Sequence, residues 1–89
     1  MSTISLTGYG LMAEDHWREF RPKMVAELEA QGKLEEALYE AQESTSDEMI
    51  DLTRKLRKQG LTAQQAYAQA WEMIREKYIL LPPEESDSD

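Results

Sequence analysis

The feature that constrains the fold most is the stretch between Gly32 and Gly60, which holds 27 residues without a glycine or a proline. Small and apolar residues recur in it at gaps of three and four, the spacing of one helix face; they are Leu34, Leu38, Ala41, Thr45, Met49, Leu52 and Leu56. We therefore expect one helix over residues 33–59, roughly 35 Å long. Residues 44–46 leave a second interpretation open, a break between two helices, because serine and threonine favour local hydrogen bonds.

The first ten residues are predicted to form an extended arm. Ile4 and Leu6 alternate with small polar residues, which is a weak strand pattern. The Gly-Tyr-Gly sequence at residues 8–10 indicates a turn, since glycine adopts a positive φ readily. The sequence leaves open whether residues 4–6 pair as a strand with another chain.

Residues 11–31 are predicted to form a shorter helical segment that is broken near Pro22. Proline lacks an amide donor and keeps the preceding residue away from the α conformation. The pattern therefore predicts either a kink or a break, with Pro22 in the first turn of a new helix. Gly32 follows at the position where glycine commonly ends a helix.

The last helix is predicted over residues 62–79. Thr62 and Gln65 have the spacing of a capping box, which marks a helix N-terminus. Two prolines follow that helix, and residues 82–89 are predicted to be a disordered acidic tail.

Together these elements predict an all-α fold, with a single small domain over residues 1–81. A long-helix hairpin forms its centre, and the shorter N-terminal helical segment lies across it. The helix over residues 33–59 is longer than its partner over residues 62–79. The part of the longer helix that extends beyond its partner must pack on the N-terminal helices or on a second copy of the chain. A homodimer is therefore one hypothesis.

The charge of the chain is concentrated at one end. The net charge is −8, and four of the 18 acidic residues follow Pro83. The remainder is only mildly acidic, which argues against broad contact with a nucleic-acid backbone but leaves a local basic patch open. The chain has no cysteine, no apolar run of membrane-spanning length and no signal-peptide pattern. We expect a bacterial, cytoplasmic protein without a membrane partner.

No residue pattern predicts catalysis, a metal site or a cofactor. His16 is the single histidine and has Glu19 one helical turn away, but protein zinc sites take three or four such ligands. Paired carboxylates such as Glu36 and Glu40 lie on a predicted solvent face, without the apolar cleft that would raise a pKa. We therefore expect a non-enzymatic protein.

A protein-interaction or accessory role is the first functional hypothesis. Aromatic and methionine residues are numerous for so small a core, and exposed residues of these types favour contact with a protein partner. The candidates for this contact are Tyr9, Trp17, Phe20, Tyr67 and Trp71. A dimer interface or ordinary core packing is the competing explanation.

DNA binding is an alternative that rests on residues 52–69, where a helix, a glycine-containing turn and a capped helix follow each other as in a helix-turn-helix. The contacts to phosphates and bases would come from Arg54, Lys55, Arg57, Lys58, Gln64 and Gln65. Nucleic acid is the less favoured partner, because the first helix is too long for the motif and mostly acidic. A third hypothesis is an acidic inhibitor or nucleic-acid mimic that presents Glu36, Glu40, Glu43, Asp47 and Asp51.

A series of short motifs runs through residues 8–78. Its residues are Gly8, Tyr9, Gly10, Leu11, Met12, His16, Arg21, Pro22, Gly32, Lys33, Leu34, Leu38 and Trp71. This arrangement resembles the small transposon-encoded family called TnpV, although the present chain is shorter and carries an acidic tail with two prolines. The resemblance implies a short helical protein with an accessory role on a mobile element. The DNA-binding alternative would then act on that element, and the resemblance supplies no catalytic residues.

Overall fold

The computed structural model describes residues 6–84, which form four α-helices joined by short turns. Helix α1 spans Gly8–Phe20, α2 spans Pro22–Ala30, α3 spans Leu34–Lys58 and α4 spans Ala63–Tyr78. Within residues 6–84 there is no β-strand, so the all-α fold class is confirmed. None of these four helices combines the length and hydropathy that a membrane crossing requires.

Helix α3 is continuous over 25 residues, and the alternative with a break at residues 44–46 is therefore wrong. Tertiary burial explains why the weak helix formers are tolerated there, since Thr45 has no exposed surface and lies on the core side. Acidic residues occupy the first turn of α3 and basic residues its last turn. Both ends therefore carry charges that complement the helix dipole.

Two glycines end helices by the same arrangement. Gly32 and Gly60 have φ values of +69° and +106°, which only glycine adopts without strain. In both cases the amide of the residue after the glycine donates to a carbonyl in the last turn of the helix. Lys33 donates to Leu28 at 2.8 Å. Leu61 donates to Leu56 at 3.3 Å. This is the Schellman pattern, and it satisfies carbonyl groups that the helix leaves unpaired.

The capping box predicted at the start of α4 is confirmed. The Thr62 hydroxyl accepts the Gln65 amide at 3.1 Å, and the Gln65 side-chain oxygen accepts the Thr62 amide at 3.0 Å. Two orphan amides of the helix N-terminus are thereby paired within the turn.

The N-terminal prediction is confirmed at Pro22 and corrected at residues 8–10. Pro22 does break the helical segment and occupies the first position of α2. Residues 8–10, however, form the first turn of α1 instead of a separate turn, so the arm predicted over residues 1–10 ends before Gly8. Gly10 is buried beside Gln42 of α3, and the Gln42 side-chain oxygen accepts the amide of Thr7, the residue that precedes α1. Ile4 lies outside the described residues.

The core consists of two neighbouring clusters along α3. The first joins α3 to α4 through Met49, Leu56, Ala66, Ala70 and Ile74. The second joins the N-terminal half of α3 to α1, α2 and the segment after α4, through Ala13, Trp17, Val25, Leu38, Ala41 and Ile79. The part of α3 that extends beyond α4 is therefore covered by the chain itself. The homodimer stays a hypothesis, but the unequal helix lengths no longer support it.

The segment after α4 is packed along α1. Three side chains at the C-terminal end of α1 donate hydrogen bonds to backbone carbonyls of this segment. The Trp17 indole donates to Ile79 at 3.1 Å. His16 Nε2 donates to Leu81 at 2.7 Å, and Arg21 donates to Pro82 at 3.0 Å. The disordered tail predicted from residue 82 is therefore corrected for residues 82–84, because these contacts and those of Glu84 order them. Residues 85–89 lie outside the described part of the chain.

Candidate functional site

An open groove with a volume of about 780 Å³ runs along one flank of the α3–α4 hairpin. It lies beside the C-terminal half of α3, the turn to α4 and the first turn of α1. Its lining residues are Tyr9, Ser46, Met49, Ile50, Thr53, Arg54, Arg57, Lys58, Gly60, Leu61 and Tyr67. We call this feature the cationic groove.

The α3 side of the cationic groove follows from helical periodicity. Ser46, Ile50, Thr53 and Arg57 are separated by gaps of four, three and four, which places them on one face of α3. That face is adjacent to the core stripe that holds Met49. The groove therefore lies on a flank of the hairpin, between the core residues and the solvent.

The cationic groove also has apolar lining residues that are partly uncovered. Ile50 is 55% exposed and Tyr67 is 50% exposed. Leu61 is half-buried at the turn between α3 and α4. Large apolar side chains exposed on one small surface are a common property of interaction sites.

Tyr9 links α1 to α4 at the edge of the cationic groove. Its ring stacks on Trp71 with centroids 5.6 Å apart and planes inclined by 17°. Its hydroxyl lies 3.1 Å from the hydroxyl of Tyr67. Burial, together with the hydrogen bond and the charge interaction with Tyr67, raises the pKa of Tyr9 to about 12. The Tyr9 hydroxyl is therefore a neutral hydrogen-bonding group at pH 7.

One end of the cationic groove carries only positive charge. Arg54, Arg57 and Lys58 line it, and the lining contains no carboxylate. Arg54 has an exposed ion pair with Asp51 at 3.6 Å. Arg57 and Lys58 form no ion pair with any residue in the range 6–84. Two cations thus face the groove without a counter-charge from the described residues.

The opposite flank of the hairpin is different in charge. A smaller depression there is lined by Glu48, Asp51, Leu52, Lys55, Met73, Ile74 and Lys77. Glu48 accepts hydrogen bonds from Lys77 at 2.8 Å and from the Tyr78 hydroxyl. These bonds hold the pKa of Glu48 below its ordinary value. Acids and bases are balanced on this flank and partly neutralise each other.

The five residues predicted to contact a partner do not lie together. Tyr9 and Tyr67 line the cationic groove, and Trp71 is half-buried beneath Tyr9. Trp17 is only 5% exposed and belongs to the core, so its predicted role at a surface is corrected. Phe20 is partly exposed and packs against His16, with ring centroids 4.6 Å apart. It lies eleven residues from Tyr9 on α1, or about 16 Å along the helix axis.

The predicted nucleic-acid contacts are also divided by the fold. Arg54, Arg57 and Lys58 share the cationic groove, whereas Lys55 lines the opposite flank. Gln65 uses its side-chain oxygen in the capping box, and Gln64 is exposed outside the groove lining. The acidic residues proposed for a nucleic-acid mimic form one exposed stripe on α3, which consists of Glu36, Glu40, Glu43, Asp47 and Asp51.

Sequence reasoning missed Ile50 and Leu61 as parts of a binding surface. Ile50 falls outside the helical stripe of core residues, although it is a large aliphatic residue in a mostly polar helix. That departure from the stripe is the signal that could have identified it. Leu61 follows Gly60 directly, and its position in the groove depends on the turn geometry.

No group of histidine, cysteine, aspartate and glutamate residues within residues 6–84 is arranged to hold a metal ion. Comparisons of the chain with protein families, with curated proteins and with solved structures found no match. The resemblance to TnpV stays a hypothesis.

Proposed function

We propose that this chain is a non-enzymatic interaction module that binds a segment of a partner protein in the cationic groove. The observation that carries the proposal is the exposure of Ile50 and Tyr67 inside one groove of about 780 Å³. That volume falls in the range of ligand-binding clefts and accommodates several side chains. Burying the exposed parts of these two residues would supply the apolar centre that protein interfaces have.

The chemistry of the groove supports binding more than catalysis. Its lining offers hydroxyls, aliphatic groups and cations, and among its residues there is neither a histidine nor a carboxylate to act as a general base. The raised pKa of Tyr9 keeps its hydroxyl protonated at neutral pH. Enzymatic use of this groove is therefore not proposed.

A protein segment fits the charge distribution better than a nucleic acid. Only three cations line the groove, all at one end, and the acidic stripe of α3 lies along the same helix. A phosphate backbone that extended along α3 would approach that stripe and be repelled. A polypeptide can place apolar side chains beside Ile50 and keep its charge local.

The test is a selection of 12-residue peptides from a displayed random library, followed by affinity measurements on two variants. Ile50→Ala truncates an apolar residue in the groove. Met73→Ala truncates a similarly exposed residue, which is 61% exposed and lies on the opposite flank. We expect selected peptides to bind Ile50→Ala several-fold more weakly and Met73→Ala as well as wild type. Equal binding to both variants, or no selected peptide, would contradict the proposal.

A further inference from the structure

We propose that the segment bound in the cationic groove is acidic and amphipathic, with a large apolar residue beside Ile50 and Tyr67 and carboxylates beside Arg57 and Lys58. This inference rests on the proposed function and names the chemistry of the partner. It is carried by charge complementarity, because the groove is lined by three cations and no carboxylate in a chain of net charge −8.

Arg57 and Lys58 have no ion pair with a described carboxylate. In the described part of the chain, Arg18, Arg75 and Lys77 each pair with a nearby carboxylate, at distances of 2.8–3.3 Å. Arg57 and Lys58 do not, although the chain has acidic residues in excess. Their charges are thus available to a partner without the loss of an internal ion pair.

The order of charges along α3 fixes the orientation of the partner segment. The exposed side of α3 is acidic from Glu36 to Asp51 and basic from Arg54 to Lys58. A carboxylate on the partner is attracted by the basic stretch from Arg54 to Lys58 and repelled by the acidic stretch that precedes it. The acidic end of the segment therefore lies beside the C-terminal end of α3, and its apolar part lies beside Tyr9, Ile50 and Tyr67.

The same pattern favours one binding place on the molecule. The overall negative charge repels an acidic segment elsewhere, and complementary charge at an interface mainly raises the association rate and selects the partner. The attraction is between exposed groups, so it is screened as ionic strength rises. We expect the affinity to fall at least several-fold between 50 mM and 500 mM salt.

The experiment compares two displayed peptide libraries with the same randomised apolar positions. One library has aspartate and glutamate at its polar positions, and the other has asparagine and glutamine. Both are selected on the full-length protein, and the affinities of the best peptides are measured on Arg57→Glu and Lys55→Glu. The two substitutions reverse the same charge on the same helix, but Lys55 lines the opposite flank.

We expect acidic peptides to bind at least about tenfold more tightly than amide peptides, since exposed ion pairs contribute up to a few-fold each. We also expect Arg57→Glu to weaken the acidic peptides at least fivefold and Lys55→Glu to change their affinity less than twofold. Arg54→Glu should have a smaller effect than Arg57→Glu, because Arg54 already pairs with Asp51.

The outcomes separate the two proposals. If amide peptides bind as tightly as acidic ones and Ile50→Ala weakens both, the acidic inference is wrong and the interaction module stands. If neither library gives a peptide that depends on Ile50, both proposals fail. A labelled oligothymidylate that binds more tightly than any acidic peptide, and loses its affinity in Arg57→Glu, would assign the groove to single-stranded nucleic acid instead.

Discussion

Glu84 caps the helix that begins 62 residues earlier in the chain: its Oε2 accepts the backbone amide of Met24 at 2.9 Å. Its other carboxylate oxygen accepts the Lys23 amide at 3.1 Å, and its own amide donates to the Phe20 carbonyl at 3.0 Å. The first amides of a helix have no partner inside the helix. A residue beyond α4 therefore completes the junction between α1 and α2.

The first prediction concerns the charge of Glu84. We expect Glu84→Gln to lower the Tm by a few degrees at pH 7, because the amide carries no charge and keeps only one acceptor. Glu40→Gln is the control, since Glu40 is exposed on α3 and has no ion pair within residues 6–84. Thermal unfolding followed by circular dichroism measures both. A Tm for Glu84→Gln equal to that of Glu40→Gln would show that the cap contributes nothing.

The pH dependence of that difference follows from the pKa of Glu84. Burial by itself would raise this pKa, but the amides of Met24 and Lys23 and the charges of Arg21 and Lys23 outweigh it, so the pKa is lowered. A carboxyl group with a lowered pKa stabilises the fold above its unfolded pKa of about 4.3. We expect the difference in Tm between wild type and Glu84→Gln to be constant from pH 7 to pH 5 and to shrink below about pH 4.

The second prediction compares the two glycines of the first turn of α1. A Cβ at position 10 would lie 2.5 Å from the Gln42 side-chain oxygen and 2.9 Å from Leu6 Cδ2, whereas a Cβ at Gly8 meets nothing within 4 Å. Gln42 is buried and accepts the Thr7 amide, so it cannot move away without losing that bond.

Alanine favours a helix over glycine by up to about 1 kcal/mol. We expect Gly8→Ala to raise the free energy of unfolding by up to about 1 kcal/mol. We expect Gly10→Ala to lower it by about 1–2 kcal/mol, because the steric clash outweighs the helix propensity. Urea unfolding at equilibrium measures both variants, and a Gly10→Ala protein as stable as Gly8→Ala would refute the close packing of α1 on α3.

The third prediction concerns Thr45. Its side chain is completely buried in α3, and its hydroxyl has no hydrogen-bond partner within the described chain. Thr45→Val keeps the shape and removes the unpaired hydroxyl, so we expect it to stabilise the protein by about 1 kcal/mol. Thr45→Ser keeps the hydroxyl and removes a methyl group, so we expect a loss of about 1 kcal/mol. If urea unfolding shows Thr45→Val to be less stable than wild type, the Thr45 hydroxyl has a hydrogen-bond partner in solution.

The helices of this protein could be predicted because their signals are local. The core stripe of α3, the glycines that end α2 and α3, and the capping box of α4 all lie within the elements they define. The helical turn at Gly8 and the ordering of Glu84 could not be predicted in this way. Each depends on a contact with a residue distant in sequence, Gln42 in one case and Met24 in the other.

The candidate site was predictable only in part for a similar reason. An excess of aromatic residues shows that some must be exposed, but only the fold separates the buried Trp17 from Tyr67 in the groove. Helical register alone could have separated Lys55 from Arg57, since residues two apart on a helix point in directions about 160° apart. The groove itself requires the position of Tyr9, which depends on how α1 packs on α3 and α4.

The fourth prediction tests the contact between Tyr9 and Tyr67 at the edge of the cationic groove. We expect the pKa of Tyr9 to be about 12, raised first by burial and then by the hydrogen bond and charge interaction with Tyr67. In Tyr67→Phe the pKa of Tyr9 should fall but stay above the ordinary value of about 10, because burial remains. NMR titration of protein labelled with ¹³C at the tyrosine ζ carbon measures these values.

The raised pKa of Tyr9 also determines the sign of the alkaline stability change. A group whose pKa is higher in the folded state stabilises the fold below its unfolded pKa, and this contribution is lost as the pH rises through the folded value. Wild type should therefore lose stability between pH 10 and pH 12 more steeply than Tyr9→Phe. Tyr39→Phe is the control, since Tyr39 is exposed on α3 away from the groove lining. A Tyr9 pKa that is the same in wild type and in Tyr67→Phe would show that the two hydroxyls do not meet in solution.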